Sequence, residues 1–323
     1  MGERERILRL AELFRTAELG DVEQGIGDDA AVLRAPGGLG GSPSVPAARL
    51  VWTIDAQVED QHFRRAWLSW RDLGYRSFVA AASDVSAMGG SPWCALSALS
   101  LTASMTDDDT EELARGQKEA ADATGARVVG GNLSKGEIVT VTTTLLGKAE
   151  RPVSRSGAQP GDGLYVVGEL GLAAVGLRAL ERGVSDAAVE TAVHAWKRPT
   201  PRVAEGLALS ASAHAAIDVS DGLALDVARI AEASGVGVVL DRRWLSSLAG
   251  ESLERAARAV GADAFELILG GGEDYALVAV SDVPIVGFSR IGEIREGEGV
   301  FVRGEHGDER LHDLPGFDHF RST

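Results

Sequence analysis

Basic side chains are scarce in this chain of 323 residues. There are 32 lysines and arginines against 48 aspartates and glutamates, which gives a formal net charge of −16. A protein of that charge repels nucleic acid and anionic membranes, so we expect neither as a partner. Lysine occurs only at Lys118, Lys135, Lys148 and Lys197. If the protein binds phosphates, metal ions and arginines must therefore supply most of the positive charge.

Cysteine and long apolar runs are also nearly absent. Cys94 is the single cysteine, so no intrachain disulfide can form, and a reducing cytoplasm is the simplest expectation. No apolar run approaches the roughly 18 residues that a membrane-spanning helix needs. The N-terminus shows no signal-peptide core. We therefore expect a cytoplasmic protein that does not span a membrane.

Several enzyme signatures are missing from the sequence. The chain has no G-x-x-x-x-G-K-[ST] loop, no protein-kinase catalytic-loop signature and no G-x-S-x-G. These absences exclude a P-loop enzyme and leave a Ser-His-Asp hydrolase without support. Gly168 and Gly171 follow a predicted strand, but their spacing is not that of a dinucleotide-binding loop. The histidines show no metal-ligand spacing.

Aspartates, most of them beside glycine, recur at five separated places. Most follow a short apolar run, where we expect a strand or a helix to end, and such ends can gather in one cleft. Carboxylates that lie so close repel each other unless cations lie between them, and hard oxygen ligands suit Mg²⁺. Each motif alone is also explained as a turn or a helix cap, so the prediction of Mg²⁺-dependent phosphate chemistry depends on their co-occurrence. The five places are Gly27-Asp28-Asp29, Asp55, Ser83-Asp84, Asp218-Val219-Ser220-Asp221-Gly222 and Gly270-Gly271-Gly272-Glu273-Asp274.

Strand-like and helix-like segments alternate along the whole chain, which predicts an α/β or α+β fold. A boundary is expected near residue 150, between an N-terminal domain (1–150) and a C-terminal domain (151–323). Thr106 is a good N-cap for a helix that should stop at Gly125. Strands are expected to end at Asp55 and to lead to Gly130-Gly131-Asn132. Further segments are an amphipathic helix at 4–17, a loop at 36–47 and helices at about 171–182, 186–196, 202–212, 221–234 and 251–260.

Taken in order, these motifs resemble those of the thiamine-monophosphate kinase family, within the aminoimidazole-ribonucleotide-synthetase-like superfamily. The resemblance covers nearly the whole chain, and its last three segments together are specific. The matching segments are GIGDDAAVL (25–33), the strand through Asp55 to His62-Phe63, SDVSAMGG (83–90), GGN (130–132), RSGAQPGD (155–162), RPTPR (198–202), IDVSDGLALD (217–226), GGGEDYAL (270–277) and GFDHF (316–320).

The resemblance implies that ATP phosphorylates thiamine monophosphate to thiamine diphosphate by direct in-line transfer, assisted by several Mg²⁺ ions. It implies a two-domain fold in which the N-terminal domain binds ATP and Mg²⁺ and forms a homodimer through its sheet. The active site is then expected in the cleft between the domains. Because the acceptor is itself a phosphate with a second pKa near 6, it is already an anionic nucleophile and needs no general base.

Residue roles follow from the same resemblance, position by position. The implied metal ligands are Asp29, Thr53, Asp55, Asp84, Asp218 and Asp221, with Asn132 coordinating through its carbonyl oxygen. Among these, Asp29, Asp84 and Asp221 are the implied catalytic carboxylates. The implied ATP-binding residues are Gly131, Asn132, Arg155 and Ser220. The implied substrate-binding residues are His62, Glu273, as an anion facing the thiazolium and aminopyrimidine, and Phe317, as a stacking face. The roles of Asp28 and Asp274 stay open.

The chain departs from the family pattern at several positions. Ile54 stands where a hydroxyl residue is usual, Gln57 replaces an apolar residue, and Asn132 replaces an aspartate in many members. Residues 194–197 (HAWK) differ from the usual basic segment. Ile54 and Asn132 favour, as an alternative, a catalytically silent protein that binds thiamine phosphates or nucleotide.

Another ATP-dependent enzyme of the same superfamily is a further alternative, and two of the implied site residues have alternative structural roles. The chain lacks the reactive cysteine of a selenophosphate synthetase and the terminal cysteine of a hydrogenase-maturation dehydratase, and the GFDHF ending argues against an aminoimidazole ribonucleotide synthetase. His62 can equally be a structural histidine, and Arg155 a surface arginine.

Overall fold

The computed structural model describes residues 5–7, 22–34 and 49–317 and contains two β-sheets. The first sheet has the strand order β1-β2-β3-β6-β4-β5, and all its pairs are antiparallel except β4–β5. Helices α1 (Trp70–Ala87) and α2 (Asp107–Thr124) follow β3 and β4 in the chain. The strands are β1 (Val22–Gln24), β2 (Ala31–Arg34), β3 (Arg49–Val58), β4 (Ser91–Leu101), β5 (Arg127–Lys135) and β6 (Thr140–Ala149).

The second sheet has the order β13-β12-β9-β11-β7-β10-β8, with β9–β12 as its parallel pair. Its strands are β7 (Gly163–Val167), β8 (Ala215–Asp218), β9 (Gly237–Asp241), β10 (Leu277–Ser281), β11 (Ser289–Arg295), β12 (Gly299–Gly304) and β13 (Gly307–Arg310). The accompanying helices are α3 (Leu172–Arg182), α4 (Glu190–Lys197), α5 (Val203–Ser212), α6 (Leu223–Ser234), α7 (Arg242–Ala259) and α8 (Ala264–Gly270).

Helix α1 packs against both sheets and is the central element of the fold. Phe78, Val79 and Val85 lie in the same apolar cluster as Val51 and Leu145 of the first sheet. Near its end, Ala87 joins a cluster that contains strand residues of the second sheet. Because α1 is enclosed from two sides, most of its residues are buried.

Strand β3 shows why the first sheet has one buried and one exposed face. Val51, Thr53 and Gln57 are buried on the face that α1 covers. Trp52 and Ile54 point the other way and are 51% and 67% exposed. This alternation is the period of two expected of a strand. Ile54 therefore lies on the opposite face from Thr53 and Asp55.

The α/β class and several predicted elements are confirmed. Helix α2 begins after the Thr106 N-cap, which forms a capping box with Asp109, and ends at Gly125 with a left-handed φ of 75°. Part of the 4–17 segment and all of the 36–47 loop lie outside the described residues. Within the first of these, residues 5–7 are helical.

Three expectations about element ends were wrong. β3 continues past Asp55 to Val58, and α1 continues past Asp84 to Ala87, so both aspartates lie inside elements. Gly130-Gly131-Asn132 lies within β5 instead of following it. Asp55 and Asp84 fit inside their elements because they face the same polar space, in which Asp55 is close enough to raise the pKa of Asp84. Gly130, Gly131 and Asn132 lie in a strand that is exposed along its whole length. Strand β4 and helix α8 were not foreseen, and the helix expected at 251–260 begins at Arg242, after the Asp241 cap, and bends at Gly250.

Among the described residues, no helix combines the length and apolar character needed to cross a membrane.

The crossing of α1 and α2 depends on two glycines. A Cβ atom on Gly74 would lie 2.0 Å from the Leu113 carbonyl oxygen, and one on Gly116 would lie 1.9 Å from the Arg71 carbonyl oxygen. Glycine to alanine inside an ordinary helix stabilises it by about 1 kcal/mol. We expect Gly116→Ala to do the reverse here and lower the free energy of unfolding by about 1–3 kcal/mol, because the backbones cannot separate without loss of packing. Urea unfolding measures it. Lys118→Ala, on the exposed side of α2, is the control with little expected effect.

Candidate functional site

Three carboxylates from separate parts of the chain meet where the two sheets approach α1. Asp29 lies in the loop before β2, Asp84 lies in α1, and Asp218 ends β8. One ligand oxygen of each lies within 4.8 Å of the others. The sequence prediction that separated aspartates would gather is thus confirmed for these three. Asp55 and Asp221 are not part of this cluster in the described chain.

Neighbouring hydroxyl groups fix two of these carboxylates. Thr53 Oγ donates to Asp84 Oδ2 at 2.5 Å, and Ser83 Oγ donates to Asp218 Oδ2 at 2.6 Å. Thr53 thus contacts the cluster from β3, as a predicted ligand should. Asp29 Oδ2, by contrast, is buried and has no hydrogen-bond partner among the residues that the structure describes. Since buried polar atoms are rarely unpaired, this oxygen is suited to a ligand.

Arg155 compensates part of the negative charge. Its guanidinium pairs with Asp29, where Nε donates to Oδ1 at 3.1 Å. Its backbone N–H donates to Asp28 Oδ2 at 3.1 Å. The side chain is only 18% exposed, so the surface-arginine alternative is wrong. Asp28 therefore accepts a hydrogen bond that holds the Arg155 backbone in place.

The buried position of the cluster disfavours ionisation. Burial raises the pKa of Asp84 well above its usual range, and Asp218, Asp29 and Asp55 raise it further. Burial and then Asp29 do the same to the pKa of Asp218. Burial also raises the pKa of Asp28 and of Asp55 to about 6 each. A cation between these oxygens would reverse the effect by favouring the charged forms.

The loop after β8 is held by a residue that the sequence prediction had not assigned. Asp226 Oδ2 accepts from the backbone N–H groups of Ser220, Asp221 and Gly222, each at 3.1 Å. Arg229 donates to Asp226 Oδ1 and to Asp221 Oδ2, both at 2.5 Å. Asp226 thus shapes this loop, and burial raises its pKa to about 7. The signal was available, because Asp226 ends the quoted IDVSDGLALD segment.

A cavity of about 920 Å³ lies beside the cluster. Its lining includes all three predicted substrate-binding residues, His62, Glu273 and Phe317, and also Asp55, Ser220 and Asp221. Phe317 is 46% exposed, and its backbone N–H donates to the Asp221 carbonyl at 2.9 Å. His62 Nδ1 accepts from the Val58 backbone N–H at 3.0 Å, which orients the ring at the end of β3. The structure therefore brings these residues together.

Glu273 does not present a lone negative charge to this cavity. Its carboxylate forms an ion pair with the fully buried Arg76 of α1 and accepts from Trp196 Nε1 at 2.5 Å. Neither Arg76 nor Trp196 was predicted from the sequence. The neighbouring Asp274 is a helix cap, since it accepts from the N–H groups of Gly171 and Ala173 at the start of α3. Burial raises the pKa of Asp274 to about 7.

Gly131 and Asn132 lie apart from the carboxylate cluster. Asp55, Thr143, Ser97 and Gly131 stand opposite one another on β3, β6, β4 and β5. Three strand spacings of about 4.8 Å place Gly131 about 14 Å from Asp55. Every residue of β5 is exposed. The two residues are thus accessible, but in one chain they do not join the cluster.

The donor set of the cluster fits Mg²⁺. Carboxylate and hydroxyl oxygens are the ligands that this ion prefers, and an unpartnered carboxylate oxygen points to one more ligand. The site offers neither the nitrogen nor the sulfur ligands that favour Zn²⁺.

Comparison with known proteins defines the class first. Residues 27–149 match the model of the AIR synthase related protein, N-terminal domain, and residues 159–304 match that of its C-terminal domain. The chain therefore has the two-domain AIR synthase-related fold, as predicted.

Individual relatives then give the family. The thiamine-monophosphate kinase of Mycobacterium tuberculosis is 36% identical, with 92% of this chain and 90% of the relative covered. That of Aquifex aeolicus is 34% identical, with 80% of this chain and 85% of the relative covered. A solved structure of AaThiL complexed with AMPPCP and TMP is 30% identical, has a TM-score of 0.87, and covers 99% of this chain and 97% of that one. The chain belongs to the thiamine-monophosphate kinase family.

Asp84→Asn tests the cluster as a cation site. The native pKa of Asp84 is raised, so its stabilising contribution is present below its unfolded pKa and is lost as pH rises through the native pKa. Without Mg²⁺ we therefore expect the variant to be more stable than the natural protein at pH 8, and much less so at pH 5. With Mg²⁺ the order should reverse, because the natural protein gains more.

Thermal unfolding at both pH values, with and without Mg²⁺, measures this. Asp308→Asn is the matched control, because Arg303 lowers the pKa of this exposed carboxylate and no cluster surrounds it. Equal Mg²⁺ stabilisation of the Asp84→Asn variant and the natural protein would contradict the assignment.

Proposed function

We propose that this protein transfers the γ-phosphoryl group of ATP to thiamine monophosphate, with several Mg²⁺ ions, and so forms thiamine diphosphate and ADP. The observation that carries the proposal is that the cavity reaches Asp55, which lies close enough to Asp84 of the carboxylate cluster to raise the pKa of Asp84, so the cavity and the cluster adjoin at this junction. One space is lined by His62, Glu273 and Phe317 and also by Asp55, Ser220 and Asp221. A substrate with an organic ring system and a phosphate fits that junction.

Asp29, Asp84, Asp218 and Thr53 would hold Mg²⁺, and the proposal adds Asp55 and Asp221 as ligands. It also keeps the Asn132 carbonyl as a ligand of one of the several ions, although Asn132 lies apart from the cluster within one chain. Bound there, the ions would supply charge neutralisation between the phosphates. Asp29, Asp84 and Asp221 are the proposed catalytic carboxylates, as groups that reach the reacting phosphates through the ions. Arg155 is proposed to contact ATP, since its guanidinium already lies at the cluster.

The reaction itself demands little proton chemistry. A phosphate oxygen of thiamine monophosphate forms a bond to the γ-phosphorus while the bond from that phosphorus to the β-bridging oxygen breaks, and ADP leaves. The acceptor is anionic at neutral pH, so no side chain has to remove a proton. The residues of this chain have to bind the two substrates, orient their phosphates and exclude water. The Ser220 loop, held by Asp226, and the β5 residues Gly131 and Asn132 are the proposed ATP contacts.

We propose further that the domains divide near residue 150, as residues 1–150 and 151–323, and that the protein is cytoplasmic. The absence of a second cysteine supports the location. We also propose a homodimer that forms through the first sheet. Its outer face carries Trp52, Ile54 and Leu96, which are 51%, 67% and 48% exposed. Ile54 and Leu96 both stand opposite Thr144, so they share one row of that face. Contiguous exposed apolar residues on a sheet favour a protein interface.

The activity is tested by ADP release from ATP and Mg²⁺ with thiamine monophosphate, with thiamine, and with neither. We expect ADP only with the monophosphate, together with thiamine diphosphate as the product. Asp84→Asn should lower kcat at least about 100-fold, because one of the three central carboxylates is lost. Asp308→Asn should leave it unchanged. Binding of the monophosphate without any ADP would favour the silent binding protein instead.

Leu96→Asp tests the dimer. A charge on the apolar row has to be desolvated in the interface, so we expect the protein to sediment as a monomer at concentrations where the natural protein is a dimer. Val286→Asp is the matched control, since Val286 is 92% exposed in a loop of the second sheet's domain. A natural protein that sediments as a monomer would exclude this interface.

A further inference from the structure

The buried guanidinium of Arg76 lies at the centre of a polar network behind the substrate cavity. It is 0% exposed, and an isolated charge in such a place is costly. Nε donates to Gln57 Oε1 at 3.0 Å, and Nη1 donates to the Trp196 carbonyl at 2.7 Å. Nη2 pairs with the Glu273 carboxylate. The Trp196 ring lies under the guanidinium, 4.3 Å from its carbon.

This network fixes the Glu273 carboxylate in position. Oε1 is paired with Arg76, and Oε2 accepts from Trp196 Nε1 at 2.5 Å. The Glu273 backbone has a left-handed φ of 64°, and its N–H donates to the Ser220 carbonyl at 2.8 Å. The side chain still keeps 22% exposure, toward a cavity that it lines. Its free lone pairs therefore point in a set direction.

Four elements contribute to this arrangement. Gln57 belongs to β3 and Arg76 to α1, whereas Trp196 belongs to α4 and Glu273 to the loop after α8. The network thus joins the parts of the chain that carry the two sheets. Gln57 and the segment that contains Trp196 are also two of the places where this chain departs from the family pattern. Their joint contact with one ion pair gives those departures a common explanation.

The ion pair changes what the cavity recognises. Arg76 and Glu273 together are neutral, so Glu273 itself attracts a cation only weakly. What remains is a carboxylate of fixed direction, which accepts hydrogen bonds from a planar group that carries N–H donors. Trp67, which also lines the cavity, meets Trp196 edge to face at 6.0 Å and supports the indole from the cavity side.

We propose that Gln57, Arg76 and Trp196 are positioning residues for the organic half of the substrate. They hold Glu273 so that it accepts a hydrogen bond from an aminopyrimidine-type ring, and they determine specificity for that half without touching the phosphates. The proposal rests on the proposed function, because it assumes that thiamine monophosphate occupies this cavity.

The test is a double-mutant cycle with Trp196→Phe and Glu273→Gln. Phenylalanine keeps an aromatic ring under Arg76 and removes the N–H donor. We expect each single change to raise KM for thiamine monophosphate about tenfold, because a hydrogen bond to a charged group is lost, with KM for ATP unchanged. If Trp196 acts through Glu273, the second change should add less than about twofold on top of the first.

Gln57→Leu approaches the same network from β3 and guards against loss of folding in the tryptophan variant. It should raise KM for thiamine monophosphate in the same selective way. Trp244→Phe is the matched control, since Trp244 lies on α7 beside Arg290 and is not at the cavity. Thermal unfolding confirms that each variant is folded.

Several results would overturn the proposal. One is that the effects of Trp196→Phe and Glu273→Gln are additive in the cycle. Another is that KM for ATP changes as much as KM for thiamine monophosphate. A third is that KM for thiamine monophosphate is unchanged in both Trp196→Phe and Gln57→Leu. If the natural protein binds thiamine monophosphate but does not phosphorylate it, the proposed function is wrong and the positioning proposal is still testable. The cycle is then measured on dissociation constants by calorimetry, with the same criteria. If thiamine monophosphate does not bind at all, both proposals fail.

Discussion

The burial of α1 between two sheets is the constraint on which the site depends. This helix contributes Arg76 to the polar network behind the cavity, Asp84 to the carboxylate cluster, and Ser83 as a hydroxyl donor to Asp218 of that cluster. Its neighbours hold it from both sides, so these side chains cannot move independently of the core. The glycines at its crossing with α2 allow the two backbones to touch. Polar residues inside a buried helix are costly, and here each of the three has a partner from another element.

Charge compensation takes two forms in neighbouring parts of the site. At the cavity, Arg76 neutralises Glu273 within the protein. At the cluster, the guanidinium of Arg155 pairs with Asp29, whereas the described part of the chain gives Asp84 and Asp218 hydroxyl donors and no ion pair. The Arg76–Glu273 pair is neutral by itself, whereas burial and mutual repulsion disfavour ionisation of Asp84 and Asp218, so their charged forms need a cation. That difference separates a region suited to an organic ring from one suited to cations and phosphates.

The fold class and part of the site could be predicted from the sequence alone, because each aspartate motif is recognisable without knowledge of the residues that it contacts. The fold class and the meeting of Asp29, Asp84 and Asp218 were expected from the motifs. The resemblance to a known family named His62, Glu273 and Phe317, which line one cavity. The roles of Arg76, Trp196 and Asp226 were not predicted. Their significance lies in contacts between residues far apart in the chain, and an arginine inside a helix has no local pattern to distinguish it. Asp55 and Asp84 were predicted to lie at the ends of their elements, but β3 continues to Val58 and α1 to Ala87, because the two carboxylates face a polar space inside the protein.

Arg76 and Asp84 are eight residues apart on the same helix. At a rise of about 1.5 Å per residue, their backbones are separated by about 12 Å along its axis. The place proposed to recognise an organic ring and the place proposed to handle phosphates are thus joined by a helix and not by a loop. Such a helix sets a length. A molecule whose ring and phosphate are joined by a shorter or longer linker can satisfy one end of the site only by giving up the other, so selectivity for linker length is built into the backbone itself.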